Sequence, residues 1–375
     1  MSLFTLGFNF DWQLVEALAD LSARTGQRGT VSEVFGALAG SPLSSARPTT
    51  RIPDATLPTL VAQAAALRAE GIGFNYLMNT SEPIGGKRVV VLDYLANLAE
   101  NGVDRVTVGT TELARLIKKH LPNMHVTMSI TKGVSTLKAL DEVARAGCDA
   151  CYLDGVFVNR NIALLTSLLR HTRLETRLYA NMSCVSACPV VRQHYDTFAR
   201  QNAGTTAAHD GFFAGCSLVK MRSSTEWMQM PWIRPEDISA YAALGVGMFK
   251  LTDRLATMPV LVRIAEAYTS ATSPPDLFDI IERSGDKYRN LTTDTALAPS
   301  GSPYTVDPTA IPDEFIGHFL DGSCISQDKH CPICTRAAKT AVSRNPAWLG
   351  FVPSQDVLNS IPAPLGSRAA RSSRV

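Results

Sequence analysis

Short β-prone apolar runs alternate with amphipathic helical stretches through the first two-thirds of the chain, and this alternation restricts the fold more than any other feature. Strands are predicted at Leu3 to Phe8, Gly73 to Leu77, Asp104 to Val108, His125 to Ile130, Ala150 to Leu153, Thr176 to Ala180, Cys216 to Met221 and Gly247 to Leu251. Helices are predicted at Asp11 to Thr25, Pro58 to Glu70, Asp93 to Asn101, Thr111 to His120, Val134 to Ala146, Asn161 to His171 and Pro235 to Ala243. About eight β/α units in roughly 270 residues suit an α/β fold of the TIM-like (β/α)8 barrel type better than a doubly wound sheet.

Polar residues recur where the apolar runs end: Asn9, Asn79, Thr110, Ser129, Asp154, Asn181, Lys250 and Arg254. In a barrel these positions converge on the catalytic face, while a plain capping role suits Asp11, Thr111 and Asn161. Beyond Ser270 the composition shifts to Ser, Thr, Pro and Gly, and Pro274, Pro275, Pro303, Pro308 and Pro312 interrupt short periodic segments. The expected organisation is a barrel over 1–270, a cysteine-containing extension over 271–345 with a helix-like stretch at Thr335 to Val342, and a tail over 346–375. The end of that tail, from Ser367, holds three arginines among small residues and reads as disordered.

Met1 to Trp12 lacks a basic start and a long apolar block, so no signal peptide is expected. No apolar run approaches the roughly 20 residues that cross a bilayer. A cytoplasmic protein with reduced thiols is the expectation. The 36 basic and 34 acidic residues leave a net charge of +2, which neither demands nor excludes an RNA substrate.

Six of the eight cysteines fall in two groups, Cys184, Cys188 and Cys216, then Cys324, Cys331 and Cys334. In a chain without secretory signals such groups point to metal ligation before disulfides. Cys184 and Cys188 follow a predicted strand, and a three-residue gap on a turn lets two sulfurs face one ion or cluster. Cys331-Pro-Ile-Cys334 is a chelating pair, and with Cys324 or His330 it approaches the four ligands of structural zinc. Thiolates drawn from barrel loops suit an iron-sulfur cluster, and simple packing as small apolar residues is the third alternative. Cys148 and Cys151 lie where a helix ends and a buried strand begins, and read as core. A radical-SAM site is rejected, because Val191 stands where its third cysteine would be.

Several ordered motifs resemble the U32 peptidase-like (collagenase-like) family: Gly102-Val-Asp-Arg-Val-Thr-Val-Gly109, Ala146-Gly-Cys-Asp-Ala-Cys-Tyr-Leu-Asp154 with Asn159-Arg160, and Cys184-x3-Cys188-Pro-x4-His194. Trp232-Ile-Arg-Pro-Glu-Asp-Ile238 and Gly245-Val-Gly-Met-Phe-Lys-Leu-Thr-Asp-Arg254 continue the likeness, which spans roughly residues 1 to 270. The resemblance implies a TIM-like barrel with a 4Fe-4S cluster, and members that hydroxylate RNA bases or quinone precursors without molecular oxygen, with prephenate as typical oxygen donor. Cys184, Cys188 and Cys216 resemble three of the family's four cluster cysteines; the place of the fourth, near Ile233 to Ile238, holds none. The terminal cysteines would complete the set, or hold a second cluster or zinc, or leave one iron open.

The leading functional expectation is an iron-sulfur enzyme that hydroxylates a small-molecule or peptide precursor. Lys250 and Arg254, with Arg222, would anchor an anionic donor, because a guanidinium fork matches a carboxylate. His194 would donate a proton or support a ligand, and Asp154 would accept a substrate proton. The alternatives are a U32-type peptidase, for which neither a Gly-x-Ser-x-Gly elbow nor a His-Glu-x-x-His helix is present, and a non-enzymatic structural-zinc or partner-binding protein.

Overall fold

The computed structural model describes residues 2–25, 29–46, 52–202, 211–252, 256–281, 288, 291–294, 296, 298–299, 301–324 and 331–372. Eight parallel strands close into a barrel in chain order: β1 (Ser2–Gly7), β2 (Gly29–Gly36), β3 (Gly73–Met78), β4 (Arg105–Val108), β5 (His125–Met128), β6 (Ala150–Tyr152), β7 (Glu175–Tyr179) and β8 (Met248–Leu251). β1 pairs with β8 through Thr5 and Lys250, which closes the ring. This is the TIM-type barrel that the alternating pattern predicts.

Two strand assignments change. Cys216 to Met221 lies in the helix Gly211–Arg222, not in a strand. That helix is buried nearly all round from Ala214 to Met221, so its sequence carries no polar stripe by which a helical period would be recognised. The eighth strand is β2, whose run Gly-Thr-Val-Ser-Glu-Val-Phe-Gly hides a strand behind a central acid and terminal glycines.

That acid explains an unusual lumen. Outward strand residues such as Phe4, Leu6, Phe74, Val106, Val126 and Phe249 pack under the helices in the main core. Facing the other way, Glu33 of β2 bonds across the barrel to Arg177 of β7 at 2.9 Å, and both side chains are buried. Asn75 donates to Glu33 at 3.1 Å, and Thr107 donates to Asn75 at 2.7 Å. A layer usually filled by Val, Ile and Leu is here a connected polar network around one ion pair.

β9 (Tyr304–Val306) and β10 (Val342–Arg344) form a two-stranded antiparallel sheet, and the Tyr304 hydroxyl donates to the Met221 carbonyl at 3.0 Å. The helix-like stretch at Thr335 to Val342 is the helix Pro332–Ala341. Ser367 to Ser372, read from sequence as part of a disordered tail, belongs to the helix Ala363–Ser372; residues 373–375 lie outside the described residues.

Candidate thiolate site at the barrel mouth

Because all eight strands are parallel, the segment after Tyr179 leaves β7 at the face where strand C-terminal ends gather. There the chain runs through Cys184 and Cys188 before entering the helix Val191–Asn202. Ala187, between the two thiols, adopts the left-handed backbone conformation at φ 43°, a strained choice for a residue with a Cβ. Cys216 approaches from the helix Gly211–Arg222. The thiol of Cys184 is pushed up, first by burial and then by the neighbouring Cys216 and Cys188. Cys188 is pushed up to about 11, again by burial and then by Cys216. Three cysteines from two elements are therefore mutual neighbours at one end of the barrel.

Cys216 is carried on a helix where the sequence reading expected a strand. On a helix, Phe212, Cys216 and Lys220 recur every four residues and share a face. That face presents Phe212 to the His194 ring, stacked at 5.3 Å between centroids, with Phe213 edge-on at 4.6 Å. It also brings Lys220 in, whose buried ammonium lies 3.4 Å from the Ser183 carbonyl and opposes the rise of the Cys184 pKa. Lys220 was missed because a strand sets residues four apart about 13 Å from each other, whereas a helix stacks i and i+4 on adjacent turns; that spacing from Cys216 is the signal that finds it.

Asp154 is fully buried beside this group. Its Oδ1 accepts from the Val156 amide at 3.3 Å, capping the short helix Gly155–Val158, while Oδ2 has no hydrogen-bond partner. Burial pushes its carboxyl up to about 6, against the nearby Arg192 guanidinium. Asp154 in turn acts on Cys184, Cys188 and Tyr195, whose hydroxyl is pushed well up by burial and then by Cys184. Tyr195 is a further neighbour of the thiols that the sequence did not single out.

The other rim residues divide. Asn79 donates to Ser129 at 3.0 Å, Asn181 binds the Thr252 and Ile280 carbonyls, Thr110 caps the helix Thr111–His120, and Asn9 donates to the Ala256 carbonyl. These side chains tie loops together, which is the capping alternative. Lys250 is 3% exposed, with its ammonium 3.5 Å from the Phe35 ring centroid and 4.8 Å and 5.4 Å from those of Tyr152 and Tyr179. Its charge is thus held in an aromatic cage inside the lumen. Arg254 and His330 lie outside the described residues. Asp237 pairs with Arg234 at 2.8 Å. The segment that lacks the fourth cysteine does lie beside the mouth, since the Ile233 amide donates to the Ala180 carbonyl at 2.7 Å.

The terminal cysteines form their own neighbourhood on the extension. Cys334 is pushed up by burial, then by Cys331, with Cys324 and Arg160 also acting on it. Cys148 and Cys151 are buried core residues, as read from sequence.

Fold and site together define a (β/α)8-barrel protein with a cysteine group at its C-terminal mouth. Over 235 residues, 60% of this chain and 68% of the relative, it is 24% identical to the uncharacterized protease MJ1657 of Methanocaldococcus jannaschii. Among solved structures, the U32 peptidase Mk0906 aligns with 68% of this chain and 93% of its own at 15% identity and a TM-score of 0.46. A GH113 β-1,4-mannanase aligns with 72% of this chain and 98% of its own at 12% identity and a TM-score of 0.38. No protein-family model matches the chain. Its motifs resemble the U32 peptidase-like family, and the curated relative it matches is named as a protease.

Proposed function

We propose that this chain is an iron-sulfur enzyme whose 4Fe-4S cluster is held by Cys184, Cys188 and Cys216. Its proposed reaction is oxygen-independent hydroxylation of a small-molecule or peptide precursor, with an anionic donor such as prephenate. The observation that carries this reading is the gathering of three neighbouring thiols, Cys188 buried and Cys184 and Cys216 part-buried, from two elements at the C-terminal face of the barrel. Among the described residues no three histidine, cysteine, aspartate or glutamate side chains form a ready site for a single metal ion. Cysteines drawn from a loop and a helix suit the ligand set of a polynuclear cluster. When bound, such a cluster supplies Lewis-acid or redox chemistry at an iron that lacks a cysteine.

The surrounding residues have roles of their own. Lys220 and Arg368 place positive charge near Cys184 and Cys188, offsetting the charge of deprotonated thiols. Asp154, with a carboxyl near 6 and a partnerless Oδ2, exchanges a proton in the mildly acidic to neutral range. Lys250 keeps a fixed cation in the lumen below the mouth, where an anionic donor would be drawn.

The peptidase reading has the name of the curated relative in its favour. A cysteine nucleophile needs a depressed pKa, whereas burial drives Cys184 and Cys188 the other way. Anaerobic purification separates the readings. Brown protein with about four irons per chain, lost in Cys184→Ser, Cys188→Ser and Cys216→Ser, is expected. Colourless protein that cleaves peptides, with activity surviving iron chelation, would sink the proposal. Product mass spectrometry with small acids, peptides and RNA as acceptors identifies the substrate class by a gain of one oxygen.

A further inference from the structure

We propose that His318, Cys324, Cys331 and Cys334 form a second metal site, on the extension, that takes a single zinc-like divalent ion independently of the barrel mouth. His318 was not among the candidate ligands that the sequence suggested, and only the fold brings it to the cysteines. It stands on the helix Glu314–Leu320, and its Nε2 lies 3.5 Å from Cys331 Sγ. In a tetrahedral site with a metal-sulfur bond of about 2.3 Å and a metal-nitrogen bond of about 2.05 Å, the sulfur-nitrogen edge is about 3.5 Å. One edge of a zinc tetrahedron is therefore already in place. Cys334 begins the second edge: it follows Cys331 by three residues at the start of the helix Pro332–Ala341, and the two thiols are neighbours. Cys324 lies within electrostatic reach of Cys334 and follows the His318 helix by one turn of chain.

Arg160 supplies a second and independent indication. It is 2% exposed, its Nε donates to the Met230 carbonyl at 3.1 Å, and its guanidinium sits over Phe319 at 4.4 Å and Trp232 at 4.7 Å. Its Nη2 has no hydrogen-bond partner, an orphaned cationic donor beside the thiols. Three thiolates, one neutral imidazole and a divalent ion carry a net charge of −1. The Arg160 cation brings the buried group to zero, removing the cost of an uncompensated charge on either side. The four ligands do not yet close on one point, so binding draws Cys324 and Cys334 onto the Cys331–His318 edge, as expected where metal binding is coupled to folding.

The test uses the full-length protein purified anaerobically, with metals counted by mass spectrometry and with Co2+ added after chelation as an optical probe. Roughly one zinc per chain is expected, together with the visible bands of tetrahedral Co2+ bound by thiolates. His318→Ala, at a part-exposed helix position, and Cys334→Ser should each lower zinc and Co2+ uptake at least tenfold, while His318→Cys should restore it. Iron bound at the barrel mouth should be unchanged in these variants, and Cys184→Ser should lose iron while keeping zinc. A protein that binds neither zinc nor Co2+, uptake unaltered by His318→Ala, or loss of iron in Cys334→Ser would each overturn the proposal.

Discussion

Ala187 holds the left-handed conformation at φ 43° between two candidate ligands, where the turn must bring Cys184 and Cys188 to one side. A Cβ makes that conformation cost about 1–2 kcal/mol, and a second branch at Cβ raises the cost. Ala187→Val is expected to lose about 2 kcal/mol by urea denaturation, while Ala187→Gly stays within about 0.5 kcal/mol, because relief of strain offsets the added chain entropy. Residue chemistry at this scale was partly legible. The two cysteine groups stand out by spacing alone, and Asp154 by its place after β6. Arg160 and His318 were not legible, because the partners of each are brought near only by the fold.

Among elements, the helix Ala363–Ser372 reverses the sequence expectation most plainly. Arg368, 6% exposed, holds Glu226 through two bonds of 2.9 Å and 2.7 Å and donates to the Ser186 carbonyl at 2.5 Å. Ser186 belongs to the Cys184–Cys188 turn, so the C-terminal helix braces the candidate site. The helix can lie close because Gly215 precedes Cys216: a Cβ there would meet Ile361 at 2.8 Å and Leu365 at 2.9 Å. Arg368→Ala leaves Glu226 buried without a partner and is expected to cost about 3–5 kcal/mol, read as a fall in the denaturation midpoint. Replacing both residues by methionine should recover most of that loss, since the uncompensated charge is gone. Gly215→Ala is expected to cost about 1–3 kcal/mol through overpacking, measured in the same way. Small residues and arginines in a terminal stretch carry no sign of such docking, because the pattern is identical whether the arginine faces water or a buried acid.

Across the whole molecule, the barrel is held at its centre by the Glu33–Arg177 pair, with Arg105 3.6 Å from the second Glu33 oxygen. Glu33→Ala is expected to lower stability by about 3–5 kcal/mol in thermal or urea unfolding, because Arg177 remains buried and charged. At this end His125 responds to pH. Burial lowers its pKa, Arg177 and Arg105 lower it further, and Asp149 and Glu33 oppose them. With the folded pKa depressed, the stability it contributes is present above about pH 6.5 and is lost as pH falls below that value, where the unfolded chain takes up the proton first. His125→Gln should therefore flatten the difference between stability at pH 7.5 and at pH 5.5, measured by urea titration at both.

By itself the sequence determined the barrel and the existence of two thiol groups. Apolar periodicity is a local property repeated along the chain, and cysteine spacing is read directly from order. Only the tertiary structure decided that Cys216 rides a buried helix, that β2 carries its acid into the lumen, that His318 meets Cys331, and that the last helix clamps the cysteine turn. Each of these depends on a partner from a distant part of the chain, and a local pattern does not encode which distant charge, ring or thiol will occupy the space opposite.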